Sequence, residues 1–143
     1  MSRKKKHTLT FDQDFEFDMI GVCSHHSDYR LVWGINDGVG LQLTTCDESY
    51  MVTNKKGEVV SAHSMYEFVD EENRLEYYLI KNKHNGKYLI PEKPSIDYFL
   101  FMNNNFAVDL DEISMKLKGV KSILGVYPFD PEEIDSAANL VFN

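Results

Sequence analysis

Cysteine is almost missing from this chain: Cys23 and Cys46 are the two among 143 residues. Two cysteines so placed make neither a disulfide framework nor a metal quartet, and they point to a reducing compartment, the cytoplasm. Proline, at four, and glycine, at eight, are also sparse. No stretch rich in proline, glycine and serine divides the chain, and no repeat of 20–50 residues is visible, so one domain is expected. Long apolar runs are lacking as well. The longest, Tyr98 to Met102, is strand-sized, far below the roughly 20 residues of a membrane-spanning helix. The charged opening MSRKKKH is not followed by an apolar stretch, so it does not read as a signal peptide. The expectation is a cytoplasmic protein with no membrane contact.

What is present describes a globular core. Hydrophobic residues make up 43% and aromatics 13% of the chain. A chain of 16.6 kDa buries about two-thirds of its unfolded surface, which excludes a disordered polymer. Charge is uneven. Arg3, Lys4, Lys5 and Lys6 supply four of 15 basic residues, and the other 11 face 23 acidic ones. Residues 1–7 therefore read as a basic, flexible tail on a single domain, 8–143, whose body is acidic. Nucleic-acid binding asks for a basic face on the folded part, so RNA is an unfavoured partner except through weak contacts of the tail.

Local pattern places the elements. Phe15 to Val22 alternates as a strand. Tyr29 to Asn36 fits both periods, but Asp28 as an N-cap and Gly38 or Gly40 as a stop favour a helix. Leu41 to Cys46 alternates again. Asp47 to Ala62 is the least structured stretch, a loose hairpin around Asn54-Lys55-Lys56-Gly57. Strands are expected at Ser64–Val69 and Leu75–Lys83. The Asn85-Gly86 pair supplies the two positive-φ residues of a type I′ turn, pairing Leu79–Lys83 with Lys87–Ile90. Pro91 and Pro94 end that strand. Ile96 to Met102 follows, with Ile96, Tyr98, Leu100 and Met102 on one face and Asp97, Phe99 and Phe101 on the other. Asp109 to Lys118 is the clearest helix, with Asp109 and Glu112 in a capping-box arrangement and Gly119 as its stop. Val120 to Phe129 reads as a strand, and Asp130-Pro131-Glu132-Glu133 opens a short terminal helix. The fold class is α+β: a mainly antiparallel sheet of about six or seven strands with two main helices and a short C-terminal one.

Chemistry-bearing residues cluster at Cys23-Ser24-His25-His26-Ser27-Asp28. Cys23, His25 and His26 are metal-ligand types, and His63 or His84 offers a further ligand, yet the spacing matches no zinc pattern. On a strand, His25 and His26 point to opposite faces. The plainer reading is a strand end leading into a helix. Cys23 lies in an apolar run, which suits a small buried side chain better than a nucleophile. Gly34, Gly38 and Gly40 follow a candidate helix rather than open one, so no phosphate loop is expected. Glu92 and Asp97 flank a proline-stiffened turn. They can share a cation, but accepting backbone donors is the simpler use. No cofactor is expected.

Ile90-Pro91-Glu92 and Ile96-Asp97-Tyr98, followed by Phe99-Leu100, resemble the signature of the bacterial IPExxVDY family. Three residues separate the two halves instead of two, and Ile96 stands in place of valine. The layout agrees over roughly residues 7–142, through Ile20-Gly21-Val22, Asp28-Tyr29-Arg30-Leu31, Glu76 to Ile80 and Asn139 to Phe142. The resemblance implies a cytoplasmic housekeeping setting, with genes near those for ribonuclease III and pyruvate kinase. It implies no activity and no catalytic residues. The resulting expectation is a non-catalytic interaction or regulatory module, a homodimer that meets its copy or another protein through Tyr98, Phe99 and Phe101. These lie on a strand that is apolar on both faces, with too few helices to cover both. The rivals are a metal-binding or Cys/His enzyme at Cys23-His25-His26 and an RNA-associated protein using the basic tail.

Overall fold

Large apolar side chains at alternate positions start the fold at β1, Phe17–Cys23, in a computed structural model that describes residues 17–142. The basic tail and the start of the strand expected at Phe15 lie outside those residues. After β1 come α1 (Asp28–Val39), β2 (Thr44–Thr45), β3 (Tyr50–Thr53), β4 (Val59–His63), β5 (Met65–Asp70), β6 (Leu75–Lys81), β7 (Lys83–His84), β8 (Lys87–Tyr88) and β9 (Tyr98–Asn103). Helix α2 (Leu110–Lys118), β10 (Gly125–Phe129) and two 3₁₀ turns at Pro131–Glu133 and Asp135–Asn139 complete the chain. The architecture is α+β. Six strands form one antiparallel sheet in the order β10-β1-β9-β6-β5-β2, while β3–β4 and β7–β8 are separate hairpins.

Strand β9 lies inside the sheet, with Ile20 opposite Leu100 on one side and Leu79 opposite Leu100 on the other. Its two faces feed two cores. Tyr98, Leu100 and Met102 pack with Ile20, Val22 and Leu79 beneath Leu31 and Ile35 of α1 and Ile113 and Leu117 of α2. Phe99 and Phe101 pack with Phe17, Met19 and Ile80 beneath Leu89, Ile90, Ile96, Ile134, Ala137 and Leu140. Phe142 completes that second cover, its ring centroid 4.9 Å from those of Phe101 and Tyr78.

This corrects the interface expectation. Tyr98 is 3% exposed, and Phe99 and Phe101 are 0% exposed, so none of the three can meet a second chain. The second face is covered by the Leu89–Ile96 loop, the β3–β4 hairpin and the C-terminal turns, segments whose periodicity is too short to read as a layer.

Other differences arise where a side chain takes over the backbone's hydrogen bonds. The strand expected at Leu41–Cys46 shrinks to two residues because the Asn36 amide bonds the Leu43 N–H and C=O, at 2.9 and 3.1 Å. The Asn-Gly hairpin forms with both residues at positive φ, 50° and 78°. It spans only Lys83–Tyr88, because Asn82 redirects the chain on either side (below). Ile96 precedes β9 and belongs to the second core, not to the face of Tyr98. Val120–Leu124 makes turns rather than strand, with Val120 N bonded to Leu117 O and Ile123 N to Val120 O. Gly119 sits at φ −81°, inside the right-handed region, so α2 ends without a left-handed residue, whereas Gly40 ends α1 at φ 86°. The terminal helix is two 3₁₀ turns.

Candidate functional site

Ser24 to Asp28, Lys81 to Asn85 and Pro94 to Tyr98 come together at one end of the sheet and enclose a cleft of about 480 Å³. Each wall has a local cause. β1 ends when the Ser24 hydroxyl donates to Ser122 O (2.6 Å) and accepts from His26 N (3.2 Å), turning the chain into α1. Asp97 Oδ2 accepts the Ser24 N–H at 2.8 Å, tying the start of β9 to that corner. Ser27 is the N-cap but offers no side-chain cap bond, and Asp28 is the first helical residue. The expected capping role of Asp28 is lost because its carboxylate turns toward the sheet. There it accepts the Tyr98 hydroxyl and stands 3.5 Å from Lys81 Nζ.

Burial first, and then the Asp28 hydrogen bond and charge, push the Tyr98 phenol far up. Burial and Asp28 raise Tyr66 in the same way. Both phenols therefore stay protonated, Tyr98 as a donor to the Asp28 carboxylate, and neither is poised as a base. The two acids of the cleft are thus held by the protein's own donors. His25, His26, Lys83 and His84 are left at its rim, all exposed. Lys83 Nζ also lies 5.7 Å from the centre of the Tyr88 ring.

The cleft gathers some of the residues singled out by sequence and separates others. His25, His26, Asp97 and His84 line it; Cys23, Glu92 and His63 do not. Cys23 leans against the second core and donates to Ser95 O at 3.5 Å. Burial and then Asp97 raise its thiol, the wrong direction for a nucleophile. Glu92 accepts the Ser136 N–H and hydroxyl at 2.8 and 2.7 Å. It and Asp97 serve different partners rather than one cation. His63 is fully buried beside Ser61 Oγ, and burial lowers its pKa. Among the described residues no group of three His, Cys, Asp or Glu is placed to hold a metal ion.

No family model, curated protein or solved structure matches the chain. Among the described residues no helix is long and apolar enough to cross a membrane. The residues that resemble the IPExxVDY signature act here as fasteners. Ile90 and Ile96 fill the second core, Glu92 ties down the C-terminal turn, Asp97 holds Ser24, and Tyr98 holds Asp28. Sequence reasoning missed Lys81, Lys83 and Asn82. Asn82 is buried between two strand-like runs, and only its polarity amid Leu79-Ile80 and Leu89-Ile90 signals it.

Proposed function

We propose that this chain is a non-catalytic binding module that takes a small phosphate-class anion in the sheet-end cleft. One observation carries this reading. Both carboxylates of the cleft are internally engaged, while its exposed rim offers two imidazoles from the β1–α1 corner and Lys83 and His84 from the β7–β8 hairpin. The exposed N–H donors of this rim can turn to an anion without breaking a bond that holds the fold. The raised thiol of Cys23 and the strongly raised phenol of Tyr98 speak against nucleophilic or general-base chemistry at this corner.

Pyrophosphate is a suitable probe. At tenfold its dissociation constant it should stabilise the fold by about 1.4 kcal/mol, raising the melting temperature by about 4 °C, less at high salt. Lys83→Glu with His84→Glu, both on an exposed hairpin, should abolish the shift while leaving the circular dichroism unchanged. An equal shift in the double variant, or none in the wild type at millimolar pyrophosphate, would remove the cleft from consideration.

A further inference from the structure

A second concavity lies on the outer side of α1. It measures about 510 Å³ and is bounded by Arg30, Trp33 and Asp37 of the helix and by Val120 and Lys121 of the segment after α2. Its floor depends on two glycines one helical turn apart. A Cβ on Gly34 would stand 2.9 Å from both Val120 Cγ1 and Ser122 Oγ, and one on Gly38 would stand 2.8 Å from Val120 Cγ2. Without side chains there, Val120 lies directly on the helix backbone, leaving a shallow trough beside Trp33.

Trp33 is 64% exposed and Tyr29, one turn earlier, is 79% exposed, although the inner face of the same helix is fully buried at Leu31 and Ile35. Trp33 is the only tryptophan of the chain. A large aromatic kept in water next to an arginine is the composition of an interface anchor rather than of a solvated helix face. The charge is also unusual for this molecule. Arg30 and Lys121 are exposed and neither is ion-paired among the described residues, with Asp37 the one acid of the trough. Within a body that is otherwise acidic, this spot attracts negative charge.

We propose that this trough docks an acidic segment of a partner protein. An aliphatic side chain of that segment lies against Trp33 and the exposed backbone at Gly38, and its carboxylates reach Arg30 and Lys121. The site shares only the rim residue His26 with the sheet-end cleft, so it stands or falls independently of anion binding there.

Trp33 fluorescence reads this site alone. Three synthetic peptides serve as probes: alternating Glu and Leu, alternating Lys and Leu, and Glu with Ser. The Glu-Leu peptide should shift the emission to the blue in a saturable way, and the other two should not. Arg30→Glu with Lys121→Glu should weaken that binding about tenfold or more with unchanged circular dichroism. The proposal is overturned by no response to the Glu-Leu peptide, by an equal response to the Lys-Leu peptide, or by binding that survives the charge reversal. Emission that depends on the concentration of the protein by itself also overturns it, because the trough then meets a second copy.

Discussion

Asn82 uses every hydrogen-bonding group it has. Its side chain accepts from Ile90 N (2.8 Å) and donates to Lys93 O (3.0 Å) and Ile96 O (2.8 Å). Its backbone N–H and C=O engage Asp97 and Leu89, at 2.9 and 2.7 Å. The residue is fully buried, so one amide shapes the whole 83–96 excursion that carries the β7–β8 hairpin and the two prolines. Asn82→Ala leaves the Ile90 N–H and the Ile96 C=O unpaired in a dry interior, where each costs about 1–3 kcal/mol, and takes from Lys93 O one of its two donors, the other being Ile96 N. A loss of about 3 kcal/mol or more is expected, read by urea denaturation with the slope unchanged. Asn82→Asp should be no milder, because a carboxylate cannot donate to Lys93 O and Ile96 O.

Among the elements, the C-terminal turns matter out of proportion to their length. They carry Ile134, Ala137 and Leu140 over Phe99 and Phe101, and Glu92 fastens them through Ser136. Burial would raise this carboxyl, but the Ser136 hydroxyl and amide outweigh it and hold Glu92 below its usual range. The unfolded chain therefore binds a proton first on acidification. The Glu92 contribution is whole above the unfolded value near 4.3 and is lost as pH falls through the folded one. Glu92→Gln should destabilise by about 0.5–1 kcal/mol at neutral pH, the modest figure reflecting an exposed site. It should also flatten the melting-temperature profile between about pH 5 and 3 and speed hydrogen exchange in residues 134–140. An unaltered acid profile would show that Ser136 is not held by charge.

At the scale of the molecule, β9 divides two cores and both are closed within one chain. Phe101 lies between rings, edge-on to Phe17 with centroids 5.6 Å apart and 4.9 Å from Phe142. Phe101→Glu buries an unpaired charge, worth more than about 4 kcal/mol of a total near 5–15. The expected result is an unfolded or insoluble chain, seen as lost near-ultraviolet dichroism. A folded variant that merely changed its oligomeric state would restore Phe101 to an interface. Any self-association must use another surface, since the strand expected to supply it is interior.

The sequence by itself determined what short-range chemistry controls. Asn85-Gly86 had to turn, because two adjacent positive-φ residues suit few other pairs. Asp109 had to cap α2, where its carboxylate accepts Asp111 N at 3.0 Å. Alternation in β1 and the strand-length runs at β6 and β9 marked the sheet and so the α+β class. The tertiary structure decided what depends on partners far along the chain. Both faces of β9 are apolar in the sequence, yet whether a second molecule or residues 134–142 cover Phe99 and Phe101 is settled only when the chain returns. The polarity of Asn36, Asn82, Glu92 and Asp97 was visible, but their partners lie 7, 14, 44 and 73 residues away. Side-chain hydrogen bonds over such separations follow no period, because they form only where packing has already excluded water.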